Sequence, residues 1–204
     1  IKSDLLYRRG GSYERLGNFQ KADEDLKYSL RINPDDAYVL NYLAYSWLER
    51  DYKIDEAMKM LEKAYALRSN DPYITDSIGW AYYLIDNYTE AEKYIKKAVE
   101  LMPDDPTVND HYGDILWKLN RNIQARYFWK YVLKLDDTDD DIRKQIGYSI
   151  RSLSILIWNQ DNDIKSALAT LEIALQINAD KDVNDKLKQD KTELLELEKK
   201  YRGI

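Results

Sequence analysis

The chain has no cysteine, which excludes disulfides, thiolate metal sites and a cysteine nucleophile. Both cytosol and periplasm tolerate that absence, so the compartment stays open. Histidine is nearly as scarce, with His111 the single one among 204 residues. A zinc site would therefore need carboxylates alone, which is rare, and His111 is expected to pack or hydrogen-bond on a helix. Glycine (7) and proline (4) are too few for turn-rich sheets or low-complexity disorder. No glycine-rich phosphate loop and no Gly-x-Ser-x-Gly elbow occurs. No apolar run approaches 18 residues, so no helical membrane span is expected. With a net charge of −6, basic residues are spread evenly among acids; nucleic acid, which needs a concentrated basic surface, is not an expected partner. The 37 carboxylates form close pairs by chance on any helical surface, and no catalytic residue, cofactor or metal is assigned. The chain is not read as an enzyme.

What the chain does have is 44% hydrophobic residues, 18 Tyr and 5 Trp, which suits packed helices joined by short turns. Ala22, Ala57, Ala91, Ala125 and Ala167 recur at spacings of 35, 34, 34 and 42. Four residues after each stands a large apolar residue: Leu26, Leu61, Ile95, Trp129 and Leu171. Three further on comes a small or branched one: Ser29, Ala64, Ala98, Val132 and Ala174. This 4-then-3 spacing is one face of a helix. Upstream lie Gly10-x-x-Tyr13, Ala44-x-x-Trp47, Gly79-x-x-Tyr82 and Gly113-x-x-Leu116, where a small residue admits a second helix and the bulky one fills the gap. Pro34 and Pro103 stop helices, since proline has no amide hydrogen to donate. One supersecondary unit is repeated along the chain.

With this pattern the chain resembles the tetratricopeptide repeat (TPR) family, most clearly from Asp76-Ser-Ile-Gly-Trp-Ala-Tyr to Leu101-Met-Pro103. The resemblance implies an all-α, right-handed α-solenoid of about five helix-turn-helix repeats, at about 3–36, 37–71, 72–105, 106–139 and 148–181. A capping helix at 182–202 would complete a single array over 1–204. The fifth repeat departs from the pattern, with Ile155 where glycine is expected and Ala179 where proline is. Because Ile1 is not an initiator methionine and the helical pattern is already under way there, the array is expected to be a piece of a longer chain with further repeats upstream.

Local signals add detail. Gly17 ends the first helix of its hairpin, and the second turn is one residue longer than its counterparts. Asp71-Pro72 and Asp105-Pro106 start helices, with aspartate as cap and proline in the first turn. Residues 141–159 read as one long helix. The acidic segment 136–141 reads as an exposed loop favouring the helix start that follows; a cation site is the alternative, although a calcium loop's glycine and distal glutamate are missing. Val183, Leu187, Leu194, Leu195 and Leu197 give the terminal segment an apolar side.

The first helix of each repeat carries a second stripe: Tyr38, Asn41, Tyr45 and Leu48; then Tyr73, Asp76, Trp80 and Tyr83; then Thr107, Asp110, Asp114 and Trp117. By resemblance these offsets face the concave groove in which the family binds peptides, which makes Tyr38, Asn41, Tyr45, Leu48, Tyr73, Asp76, Trp80, Tyr83, Asp110, Asp114 and Trp117 the candidate peptide-binding residues. Tyrosine and tryptophan offer large contact area with few torsions to freeze, and the interspersed acids would favour a ligand with apolar and basic residues. Packing between repeats is the competing role for some rings, Trp80 and Tyr83 above all. The family's carboxylate clamp is not expected: its Lys, Asn and Arg positions hold Tyr7, Gly11, Tyr42, Tyr73 and Ser77. The expected function is a protein-interaction scaffold or adaptor; a structural subunit using the convex face or the ends is the alternative. Residues 37–135 are most similar to C-terminal repeats of proteobacterial TPR proteins. Some of those are envelope lipoproteins, and one type recruits substrates to a protease. That resemblance implies bacterial origin and leaves the compartment open between envelope and cytoplasm, with the oligomeric state unassigned.

Overall fold

The computed structural model describes residues 2–135, 137–177 and 181–202. Among them are eleven α-helices and no strand: α1 (Lys2–Arg15), α2 (Phe19–Ile32), α3 (Ala37–Glu49), α4 (Ile54–Leu67), α5 (Pro72–Leu84), α6 (Tyr88–Leu101), α7 (Pro106–Lys118), α8 (Asn122–Val132), α9 (Asp140–Asp161), α10 (Ile164–Ile177) and α11 (Lys181–Arg202). Consecutive odd and even helices up to α10 pack as antiparallel hairpins. The chain divides into two compact bodies, Ile1–Met102 with α1–α6 and Pro103–Ile204 with α7–α11.

The recurring alanines and the residues four and seven places after them are the interior of the second helices. All fifteen positions are at most 1% exposed. Opposite them sits the small residue of the first helix, and its size is a steric requirement. A Cβ on Gly79 would lie 2.6 Å from Ile95 Cγ1 and 3.1 Å from its backbone nitrogen, and one on Gly10 would lie 2.9 Å from Leu26 Cγ. In the fifth hairpin this role falls to Ser154, which is buried and donates its hydroxyl to the Ala167 carbonyl at 2.8 Å. Ile155, aligned with the glycines by counting alone, is instead 39% exposed. The register differs by one because the separation from the alanine is 13 residues here, against 12 in hairpins one, three and four.

Helix ends are set by local chemistry. Asp36, Asp71, Asp105 and Asp139 each accept the backbone N–H three residues on, at 2.8 to 3.3 Å, and Asn18 and Asn87 do the same for α2 and α6. Hairpin turns close through a left-handed residue: Gly17 (φ 72), Asp51 (φ 52), Asp86 (φ 60) and Asn120 (φ 59). The residue after each donates its N–H back to the carbonyl five places earlier, as Asn18 does to Tyr13 and Arg121 to Leu116. The longer turn of the second hairpin absorbs its extra residue with a second left-handed position, Lys53.

In the second body α9 is a 22-residue helix. α11 covers the α9–α10 hairpin with Val183, Leu187 and Leu194, while Leu195 stays exposed. Arg151 clasps Asp190 through two hydrogen bonds, at 2.5 and 3.0 Å, tying α9 to α11. Asp136 and Ala179 lie outside the described residues. Of the acidic segment, Asp139 caps α9 and Thr138 is buried, its hydroxyl on the Val132 carbonyl at 2.6 Å. No group of three or more His, Asp or Glu that would hold a metal occurs among the described residues, and no described helix is long and apolar enough to cross a membrane.

Candidate interaction face on the first helices

In the first body, α3 and α5 lie beside one another, and the candidate residues at their junction form a connected group. Trp80 Nε1 donates to Glu49 Oε1 at 3.3 Å, and the Trp80 and Tyr83 rings stack with centroids 4.3 Å apart. Tyr45 is half-buried between the acids: burial first, then the charges of Glu49 and Asp76, push its phenol far above the ordinary value, so it stays a neutral donor. At the helix starts, the Tyr38 hydroxyl donates to Asp71 Oδ2 at 2.9 Å, and the Arg68 guanidinium lies 5.1 Å from the Tyr38 ring. Asp71 thereby caps α5 with one oxygen and holds α3 with the other. Tyr38 and Tyr73 are the open members, at 43% and 64% exposed. Asn41 is half-buried, with a fully covered side-chain oxygen that has no hydrogen-bond partner.

Other candidates sit deeper than their polarity implies. Leu48 belongs to the hydrophobic cluster around Leu43, Trp47 and Leu61 and serves packing rather than contact. The stripe offset that leaves Tyr83 half-exposed on α5 places an aliphatic residue on α3, and the aliphatic one turns into the core. Asp76, Asp110 and Asp114 are only 9%, 7% and 9% exposed; they are recessed acids, not a solvent-facing row. Glu49 and Arg68 join the face although the stripe omits them. Glu49 is legible as the residue one turn after Tyr45 on the same helix face, whereas Arg68 reaches Tyr38 from the end of α4 and carries no such signal.

In the second body, α7 presents Asp110, Asp114 and Trp117. Asp114 Oδ1 accepts from Trp129 Nε1 at 3.2 Å, and the Trp117 and Trp129 rings lie 5.9 Å apart. Burial drives both carboxyls well above their ordinary 3.8; Asp114 adds to the rise at Asp110, whereas His111 opposes it at both. Asp110 Oδ1 is fully covered and has no hydrogen-bond partner. His111 is itself buried beside them, in line with a packing or hydrogen-bonding role.

At the positions matching a carboxylate clamp, the Tyr7 and Tyr42 rings meet edge to face at 5.7 Å. Tyr42 donates to Glu14 Oε2 at 3.1 Å, and its phenol is pushed up to about 12 by burial and that acid. A C-terminal carboxylate would meet rings and a glutamate there. A concavity of about 990 Å³ lies elsewhere, lined by residues of α1 and α2 such as Leu5, Arg9, Asp25 and Tyr28. It is shallow and open. An extended segment lying across helices needs a line of contacts rather than an enclosed cavity.

Among solved structures, MamA is similar over 83% of this chain and 94% of that one, at 16% identity and a TM-score of 0.64. Pseudomonas aeruginosa pilF is similar over 93% and 82%, at 17% and 0.67. YrrB, described as a TPR protein with an unusual peptide-binding site, is similar over 90% of each chain, at 17% and 0.66. At such identities these likenesses speak for the fold alone. A TPR repeat-containing protein of Pseudomonas aeruginosa is 35% identical over 80 residues, which is 39% of this chain and 14% of that protein's length. Residues 3–138, two thirds of the chain, match the tetratricopeptide repeat family model, and the chain belongs to that family.

Proposed function

We propose that the chain is a non-enzymatic adaptor that binds a segment of a partner protein along the first-helix face. The family is one of protein-interaction scaffolds; the mode of binding is our reading. The observation that carries it is the α3–α5 group: Tyr45 and Trp80 meet Glu49, Tyr83 stacks on Trp80, and Tyr38 and Tyr73 are left open beside them. Rings fixed by stacking and hydrogen bonds lose little freedom when a ligand arrives, and half-exposed aromatic residues are the residues on which binding energy concentrates. The recessed acids favour a segment that brings basic as well as apolar side chains. YrrB, whose title names a peptide-binding site, has the same fold, which makes the reading reasonable for this chain.

A single contact of this kind binds with Kd near ~10⁻⁶ M, roughly 8 kcal/mol. The test is capture of partners from the source cell by the wild-type chain and by a Tyr45→Ala, Trp80→Ala double variant of unchanged helicity. Recovery should fall by about tenfold or more; undiminished recovery would remove the first-helix face from the function. The competing reading, a structural subunit using other surfaces, draws on exposed apolar residues of the second helices, Ile123 and Tyr127 among them. Loss of recovery on changing those two instead would favour it. Service to an envelope protease is carried by the proteobacterial resemblance alone; co-purification of such a protease with the wild-type chain is its test.

A further inference from the structure

We propose that the loop between α4 and α5 is the carboxylate-binding pole of the first-helix face: Arg68, Ser69 and Asn70 take an acidic side chain of the bound segment, and Glu49 at the far end takes a basic one. The inference rests on that face being the binding face and adds the charge pattern of its partner. Tyr38 and Glu49 are eleven residues apart on α3, a separation that returns to the same side of a helix after about 16 Å. Tyr45 lies between them on that stripe, and Tyr73 and Trp80, seven residues apart, form a second stripe on neighbouring α5. Two hydrogen bonds join the stripes at their ends, Tyr38 to Asp71 and Trp80 to Glu49. Rings fill the middle, and the ends differ in charge.

At the loop end, donors stand exposed without protein partners. Arg68 lies 5.1 Å from the Tyr38 ring, and its guanidinium makes no ion pair. The side chains of Ser69 and Asn70, also exposed, make no hydrogen bond among the described residues. These three residues line an open concavity of about 470 Å³. Lys97 reaches the same loop, its ammonium on the Ser69 carbonyl at 2.6 Å and without a carboxylate partner. The acids of the adjoining helix starts are engaged elsewhere: Asp71 accepts from the Ile74 N–H and the Tyr38 hydroxyl, and Asp36 from the Val39 N–H. A planar guanidinium held against a ring keeps its edge N–H groups for a carboxylate, so an acid is what this end can take up. Glu49 is the counterpart: it is exposed, accepts from the neutral Trp80 indole and makes no ion pair. An extended chain covers about 3.3–3.6 Å per residue, so the two poles match an acidic and a basic residue about five places apart, with apolar residues between them over the rings.

The experiment titrates the full chain with the hexapeptide N-acetyl-Glu-Leu-Phe-Ser-Leu-Arg amide and with versions carrying Gln for the Glu, for the Arg or for both, following the Trp80 indole N–H by NMR. The charged peptide should saturate in the millimolar range or below and bind about threefold more tightly than either singly substituted version, the size of an exposed charge pair. Arg68→Gln should abolish the advantage of the peptide's Glu and keep that of its Arg. Glu49→Gln, which retains an acceptor for Trp80, should do the converse. Both variants change exposed side chains, and an unchanged spectrum of the free chain verifies the fold. Equal affinity for all four peptides, a loss in Arg68→Gln that is the same with and without the peptide's Glu, or no saturation by any peptide would overturn the assignment. Equal affinity with the Trp80 signal still moving removes the charge pattern and leaves the binding face in place. A failed binding face shows instead as partner capture undiminished in the Tyr45→Ala, Trp80→Ala variant.

Discussion

Asp110 occupies a site that penalises its charge, and the sign of the consequence can be worked out. Its folded pKa lies above the unfolded value, because burial and the Asp114 charge both favour the neutral acid. Between those two values the folded state binds more protons than the unfolded one, so stability is greatest below the ordinary value near 3.8 and declines as pH rises toward the folded value. Asp110→Asn keeps the shape without the charge. Thermal unfolding of the variant should show a flatter pH dependence from pH 5 to 8 and a gain on the order of 1 kcal/mol at pH 8; a steeper fall than wild type would contradict the burial argument. Gly79 gives a prediction of opposite sign. Its missing Cβ leaves room for Ile95, so Gly79→Ala should cost about 1–3 kcal/mol through overpacking, read as a lowered denaturation midpoint. Both effects come from single atoms, but they differ in legibility. The glycine announces itself by recurring in register with Gly10 and Gly113. The burial of the aspartate does not, because an acid on a helix face looks the same in sequence whether it is solvated or covered.

At the level of the helix pair, sequence and structure agree where packing depends on spacing. The 4-then-3 stripe after each alanine is the buried interior of the second helix in all five hairpins, since no other arrangement hides those residues together. Agreement weakens where a turn changes the count, as in the fifth hairpin, where Ser154 rather than Ile155 meets the alanine. The first-helix stripe shows a different limit. Offsets alone place Leu48 and Tyr83 alike, yet one is core and the other half-exposed, because side-chain polarity decides how far each rotates inward. The turns themselves make a testable element. Nothing lies within 4 Å of a Cβ built on Gly17, while its φ is 72, so Gly17→Ala tests backbone conformation without a steric confound. A loss of about 1 kcal/mol is expected in chemical denaturation. No loss would mean that the left-handed turn contributes nothing to closing the α1–α2 hairpin.

For the molecule as a whole, each body has its own buried helices and its own rings and acids on first helices: α3 and α5 in the first, α7 in the second. Family membership rests on residues 3–138 and says that such helices serve protein recognition; it does not say by which face. The most direct measurement is partner capture by three forms of the chain: wild type, a first-helix variant (Tyr45→Ala, Tyr73→Ala, Trp80→Ala) and a second-helix variant (Ile123→Ala, Tyr127→Ala), each checked for unchanged helicity. Binding on the first-helix face predicts that the first variant loses at least about tenfold in recovery and the second retains wild-type recovery. The reverse pattern, with recovery lost only when Ile123 and Tyr127 are changed, would contradict it.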